Sequence, residues 1–207
     1  MTSWLHEQRL RAAIDVVRER RAATVLDLGC GDGDLLTRLA GEPALERIVG
    51  IDLCTSSLRR LHERIARLET RHAEIDLIHG CMTRLSDALR GFDCAVLVET
   101  IEHIDPGRLH ALERAIFVHA RPATVVVTTP NAEFNPVLGV PSGRFRHPDH
   151  RFEWDRARFR RWVRGVAGRN GYDVALSDVA GSHPAYGGAS QMAVFDVVAD
   201  DADGVAA

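Results

Sequence analysis

The stretch that most constrains the fold is Thr24-Val25-Leu26-Asp27-Leu28-Gly29-Cys30-Gly31-Asp32-Gly33-Asp34-Leu35-Leu36. It reads as an apolar strand, a turn with glycine at every second position, and the start of a helix. Glycines so placed let the backbone take positive φ and approach a ligand closely. A strand that passes through such a turn into a helix is the opening unit of a parallel α/β sheet. The same alternation continues downstream. Arg47–Asp52 is a second strand ending in an acid, and Thr55 or Ser56 is expected to cap a helix running to about Thr70. Ile75–His79, Phe92–Val98 and Thr124–Thr129 are three further strands, with a helix expected over Pro106–Ala120. Ahead of all of them, residues 3–20 place Leu10, Ile14 and Val17 on one helical face. After an irregular Pro-, Gly- and Asn-rich segment, 130–148, a helix is expected over about Asp155–Gly168. Tyr172–Leu176 and Gln191–Val198 then read as two strands antiparallel to each other. The expected architecture is α/β: a seven-stranded, mostly parallel sheet with helices on both faces.

At 207 residues the chain suits one domain with a sizeable core, expected over 1–198, with 130–150 as an active-site loop. The acidic, small-residue end, 199–207, is expected to be disordered. Cys30, Cys54, Cys81 and Cys94 form no CxxC pair, which points to reduced thiols and a cytoplasmic location. No apolar run is long enough to span a bilayer, so no membrane partner is expected. The net charge of −3 argues against indiscriminate nucleic-acid binding. Lysine is absent, which weakens any argument that a given arginine was selected for its geometry.

The densest chemistry lies where the fourth strand ends. Glu99, Glu102 and His103 follow Val98 at spacings that a turn entering a helix would bring to one side. Open α/β sheets place their chemistry at this end of the strands. His147 and His150, in Arg146-His147-Pro148-Asp149-His150-Arg151-Phe152-Glu153-Trp154, can add a further ligand. Two carboxylates with imidazoles suit Mn²⁺ first, with Co²⁺ or Fe²⁺ also possible and Mg²⁺ less favoured, and no thiolate lies near enough for structural zinc. The plainer reading is that the glutamates favour a helix N-terminus and His103 is a surface residue. Nine arginines against three acids between Arg144 and Arg169 make a local basic stretch, or a solvated helix face. Phe152 and Trp154 are read as core anchors before base-stacking platforms.

Asp27-x-Gly29-x-Gly31-x-Gly33 resembles the S-adenosylmethionine (SAM) loop of class I, Rossmann-like methyltransferases. By that resemblance Asp27 faces the amino end of SAM, Asp52 accepts both ribose hydroxyls, and Cys81 and Met82 flank the adenine. Glu99-Thr100-Ile101-Glu102-His103, Thr128-Thr129-Pro130-Asn131-Ala132-Glu133-Phe134-Asn135, the segment Arg146–Trp154 and Gln191–Phe195 follow in order. Together they resemble the RNA 3′-terminal-nucleotide 2′-O-methyltransferase family, over roughly residues 20–198. The family includes small-RNA methyltransferases and bacterial RNA-repair relatives. The resemblance implies metal-dependent methyl transfer from SAM to the 2′-hydroxyl of an RNA 3′ end, the metal chelating the terminal 2′,3′-diol. It implies Glu99, Glu102, His103 and His150 as metal ligands, and His147 beside the attacking oxygen, with the two histidines' roles open to exchange. Asn131 would touch ribose or a loop backbone; Arg144, Arg146 and Arg151 would hold RNA. About 20 residues precede the first strand, where bacterial members often carry a large module. Either a compact member or part of a longer chain is therefore expected, coupling to an RNA-repair partner protein is the weaker expectation, and a monomer is the default. Competing readings are a metal-dependent O-methyltransferase of a small vicinal diol such as a catechol, and a SAM- or RNA-binding partner without turnover.

Overall fold

A computed structural model describes residues 3–198 of the chain; the 199–207 tail lies outside the described residues. Seven strands form one sheet: β1 (Thr24–Leu28), β2 (Arg47–Asp52), β3 (Glu74–His79), β4 (Cys94–Val98), β5 (Thr124–Pro130), β6 (Tyr172–Val179) and β7 (Ser190–Val197). Their order is β3-β2-β1-β4-β5-β7-β6. β1 to β5 run parallel, and β7 is antiparallel to both β5 and β6. This is the sheet expected from the sequence. The order reverses between β1 and β4, so the carboxyl ends of these two strands flank a crevice.

The helices divide between the two faces because the strand side chains alternate. Val25, Ile48, Val96 and Val126 pack against α1 (Trp4–Glu19), α2 (Leu36–Leu39) and α3 (Thr55–Ile65). Leu26, Val49, Leu97 and Val127 pack against α4 (Leu109–Glu113), the turns that continue it, and α5 (Arg156–Asn170). Central parallel strands covered on both faces read as continuous apolar runs, as β4 and β5 do. Among the described residues no helix is long and apolar enough to cross a membrane.

Two helices depart from the sequence reading. α3 is capped at Cys54, without a side-chain cap, and ends at Ile65. The Asp52 carboxylate accepts the Cys54 N–H at 2.7 Å, which turns the chain one residue before Thr55. Beyond Ile65, Arg67 and Leu68 bond to the carbonyls three residues back, closing the helix into a turn. The segment expected as one helix, Pro106–Ala120, has three parts: a tight turn over Pro106–Arg108, α4, and wide π-type turns over Arg114–Ala120. Asp105 caps the first by accepting from the Gly107 N–H at 2.8 Å. Arg121, at φ +43°, closes the last with a bond to the Ile116 carbonyl at 2.7 Å.

Candidate active site

The glycine turn is built by close approach of backbone to backbone. The Gly29 and Cys30 N–H groups both donate to the Ile51 carbonyl, at 2.8 and 3.1 Å, and that of Gly31 donates to Asp52 Oδ2 at 2.8 Å. Gly29 and Gly33 sit at φ +83° and +82°. A Cβ at Gly29 would lie 2.4 Å from Thr100 Cγ2, and one at Gly33 would lie 2.1 Å from Leu61 Cδ1. Gly31 also has positive φ, at +51°, yet open space around it. Beside the turn is a cleft of about 190 Å³, bounded by His6, Asp27, Gly29, Gly31 and Asp34.

Asp27 is the buried carboxyl of that cleft. It is 3 % exposed, and its Oδ2 has no hydrogen-bond partner. Burial, reinforced by the nearby Asp52 charge, pushes its carboxyl up to about 7. A buried orphan carboxylate of this kind fits an ammonium partner. Asp52 uses each oxygen to accept one backbone N–H, from Gly31 and Cys54, and keeps further lone pairs for hydroxyl donors. Met82 reaches over the turn, its Cε 3.2 Å from the position of a Gly29 Cβ. The half-buried Cys81 instead pairs its Sγ with Thr83 Oγ1 at 3.0 Å.

A second pocket, of about 270 Å³, opens where β4 ends. It gathers Glu99, Glu102, His103, His147 and His150, with His6 and Arg9 from α1. Glu99 takes φ +51°, a conformation that costs a non-glycine residue on the order of 1 kcal/mol or more. The neighbouring strand stabilises it there, since its N–H donates to both the carbonyl and the hydroxyl of Thr128, each at 3.1 Å. Its carboxylate accepts from Thr128 Oγ1 at 3.0 Å and Ser190 Oγ at 3.1 Å, and faces Arg9 Nε at 3.2 Å. Glu102 is 0 % exposed. Its Oε2 accepts from Thr129 Oγ1 at 2.9 Å, while Oε1 has no partner. Burial, and then the Glu99 charge, push this carboxyl well above the usual range.

Three histidines complete the pocket, each offering a ring nitrogen within 4.8 Å of the others'. The His103 ring lies 4.9 Å from that of His150 and 6.0 Å from that of His147. Burial, then the neighbouring His150, lower the His103 pKa, favouring the neutral ligand form. The His150 side chain is 8 % exposed and its Nδ1 is held by Glu153 Oε1 at 2.5 Å, which leaves Nε2 for a metal. His147 is different: its side chain is 54 % exposed, and its Nδ1 accepts the Asp149 N–H at 3.2 Å. Among the described residues the donor atoms that converge are the ring nitrogens of His103, His147 and His150, while Glu99 and Glu102 line the same pocket outside that group. Imidazoles beside an unpartnered buried carboxylate oxygen and a second anchored carboxylate fit a divalent cation in their chemistry.

Comparison with known proteins places the chain in a family. The family described as a methyltransferase domain matches residues 25–123. The small RNA 2′-O-methyltransferase of Gallus gallus is 35 % identical over 203 residues, covering 92 % of this chain and 53 % of that protein. The chain thus spans about half the length of such curated relatives. The crystal structure of the methyltransferase domain of bacterial CtHen1-C superposes with a TM-score of 0.84 at 38 % identity, covering 94 % of this chain and all of that one. The chain belongs to the Hen1 methyltransferase family. The small RNA methyltransferase HEN1 structure is also similar, with a TM-score of 0.87 at 32 % identity over 94 % of this chain and 26 % of that one.

Within this Hen1 domain, two of the anticipated RNA contacts are internal struts. Asn131 is 0 % exposed; its amide donates to the Tyr186 and Gly188 carbonyls at 2.8 and 3.0 Å and accepts the Glu133 N–H at 3.0 Å. Of the two roles foreseen for it, the structure places it on loop backbone. Arg146 lines the pocket, but its guanidinium donates to Asn135 Oδ1, the Ala189 carbonyl and the Asn131 carbonyl. Both lock the 130–148 segment to the β6–β7 connection. Arg144 and Arg151 are exposed, and among the described residues neither has an ion pair. Phe152 and Trp154 are buried and stacked on each other, rings 4.2 Å apart, as core anchors.

Sequence reading missed the supports of the Hen1 site. His6 lines both pockets, so α1 forms the wall between them. Arg9 donates to Ser190 Oγ at 2.8 Å and faces Glu99. Glu153, inside the recognised segment, binds His150, the Arg146 N–H and Asn135 together. Only Glu153 carried a sequence signal, as an acid three residues beyond a candidate ligand.

Proposed function

We propose that this domain transfers the methyl group of SAM to the 2′-hydroxyl of the 3′-terminal nucleotide of RNA, with a divalent metal. The observation that carries the reading is the buried Glu102, its Oε1 unpartnered, in a pocket that shares the His6 wall with the Asp27 cleft. Asp27 would take the SAM ammonium, Asp52 the ribose hydroxyls, and Gly29, Gly31 and Gly33 the close backbone approach. Cys81 and Met82 follow β3 at the same end of the sheet, where they would flank the adenine.

Glu99, Glu102, His103 and His150 would hold the metal, with His150 oriented by Glu153. When bound, such an ion chelates the 2′,3′-diol that only a terminal ribose possesses and lowers the pKa of the 2′-hydroxyl. Mn²⁺ suits the mixed oxygen and nitrogen donors best, with Co²⁺, Fe²⁺ or Mg²⁺ as alternatives. His147, whose ring is exposed at this pocket, would accept the hydroxyl proton as general base. The new O–CH₃ bond forms as the S–CH₃ bond breaks, and the electron pair stays on sulfur. Much of the acceleration would come from holding oxygen and methyl in line. RNA phosphates would be met by Arg144, Arg151, Arg158, Arg160, Arg161 and Arg164, all exposed and without an ion pair among the described residues. The four free cysteines fit a reducing compartment such as the cytoplasm.

The product has a chemical signature. A 2′-O-methylated end lacks the vicinal diol that periodate cleaves. RNA incubated with the protein, SAM and Mn²⁺ should therefore keep its terminal nucleoside through periodate oxidation followed by β-elimination. RNA that takes up methyl yet still loses that nucleoside would place the methyl elsewhere and overturn the reading.

A further inference from the structure

Phe145 is left 48 % exposed immediately before Arg146 and His147, both of which line the metal-side pocket. At this exposure the ring contributes little to the core, like Val137 and Leu138 of the same segment. A half-exposed phenyl ring forgoes part of the stabilisation that burial brings, and nearby Phe152 and Phe159 are fully packed. Nor is the ring carried by a loosely tethered loop. The next residue's N–H donates to Glu153 Oε1 at 2.7 Å, and its guanidinium reaches Asn135, Asn131 and Ala189. The preceding residue's N–H donates to the Pro141 carbonyl at 3.1 Å. An exposed aromatic on pinned backbone is pre-organised for a flat partner, because little loop entropy remains to be lost on contact.

The surroundings select the partner. Arg144, on one side, and Arg151, further along, are exposed cations without an ion pair among the described residues. An exposed ring that follows Arg144 in the chain and directly precedes the pocket-lining Arg146 and His147 matches a nucleotide better than an apolar protein surface. Phe145 and His147 are two residues apart, so their Cα atoms are separated by at most about 7 Å. That is the scale on which the base of a nucleoside stands away from its sugar hydroxyls.

Resting on the RNA 3′-end reading, we infer that Phe145 is the stacking platform for the 3′-terminal base. Stacking uses the π-face that every base has and not its hydrogen-bonding edge. The terminal base is thus held without being read, and any of the four bases is accepted, purines somewhat more tightly. Phe145 positions the nucleotide and takes no part in the chemistry.

The test measures binding, with S-adenosylhomocysteine and Mn²⁺ present and two RNAs: one with a normal 3′-terminal nucleotide, one with a ribo-abasic terminus that keeps the diol. Phe145→Ala should raise Kd for the first by roughly 5- to 150-fold and leave Kd for the second unchanged. Phe145→Trp should restore tight binding, whereas Phe145→Leu should not. A 3′-terminal 2-aminopurine should be quenched on binding wild type and remain bright on Phe145→Ala. Equal binding of both RNAs by wild type and Phe145→Ala overturns this inference alone. Full rescue by leucine also overturns it, in favour of a plain apolar contact. If neither protein binds RNA, the RNA reading falls and this inference falls with it.

Discussion

Glu153→Gln probes the step on which the metal reading depends, the orientation of His150. Glu153 Oε1 accepts from His150 Nδ1 at 2.5 Å and from the Arg146 N–H at 2.7 Å, and Oε2 accepts from Asn135 Nδ2 at 2.7 Å. Burial alone would raise this carboxyl, but the bonds from His150, Asn135 and the Arg146 amide hold it below the usual range. Glutamine keeps the shape but replaces one acceptor with a donor. With its oxygen toward His150 and Arg146, its NH₂ meets the Asn135 NH₂. Asn135 cannot flip in response, because its Oδ1 already accepts from Arg146 Nε at 2.5 Å. One donor–donor contact therefore persists, worth about 1–3 kcal/mol of stability. The imidazole also loses its anionic partner. Loss of such a support behind a metal-binding histidine weakens affinity about 10- to 100-fold, or about 1.4–2.7 kcal/mol. Titrating Mn²⁺ into the SAM-loaded protein, with the free ion followed by electron paramagnetic resonance, measures this directly. A Glu153→Gln protein that unfolds more easily yet binds Mn²⁺ as tightly as wild type would refute the assignment of His150 as a ligand.

The two flanking histidines should separate cleanly. His103→Ala should lose Mn²⁺ binding and turnover while SAM affinity, by calorimetry, stays near wild type. His147→Ala should keep Mn²⁺ affinity and lower kcat roughly 10²- to 10⁴-fold; wild-type kcat would remove it from the chemistry. Asp27 gives a pH prediction for the SAM-free protein. Its folded-state pKa is raised from 3.8 to about 7, so the associated stability is complete below about pH 4 and is lost as pH rises through 7. The displacement corresponds to up to about 4 kcal/mol at pH 8. Asp27→Asn should therefore be the more stable protein at pH 8 but not at pH 4 by thermal melting, with weakened SAM binding; an unchanged pH dependence would contradict the burial argument. For RNA, the slope of log Kd against log salt should fall by roughly 0.7 for each phosphate contact removed. Arg158→Ala, Arg161→Ala and Arg164→Ala combined should show this, and an unaltered slope would move the RNA path off α5.

The sheet was legible because alternation of apolar runs and helical periods is a local signal that parallel topology preserves. The glycine turn and Asp52 were legible for the same reason: they sit at strand ends whose register the β1–β2 pairing fixes. What escaped is set by contacts between distant residues. Glu99 is held by Arg9 and Ser190, ninety residues away on either side, and neither carries a mark in its own neighbourhood. His6 resembles any histidine on an amphipathic helix until α1 is laid across the crevice. Asn131 and Arg146 have the residue types of ligand contacts, yet the loop they occupy needs internal partners for its own backbone carbonyls, and that need takes them first. Phe145 shows the reverse case, since the aromatic residues of the recognised motif are buried and its unremarked neighbour is exposed. The π-type turns after Glu113 and the early end of α3 reflect packing and turn closure that helix propensity does not encode.

The central claim is most directly tested by transfer of labelled methyl from SAM to synthetic RNA, with Mn²⁺ and with chelator. Three acceptors are compared: an unmodified 3′ end, a 2′-deoxy terminal nucleotide and a 3′-phosphate. The account predicts methylation of the unmodified end alone, abolished by chelator. Equal methylation of the 3′-phosphate RNA, or activity undiminished by chelator, would contradict diol recognition through a metal held by Glu99, Glu102, His103 and His150.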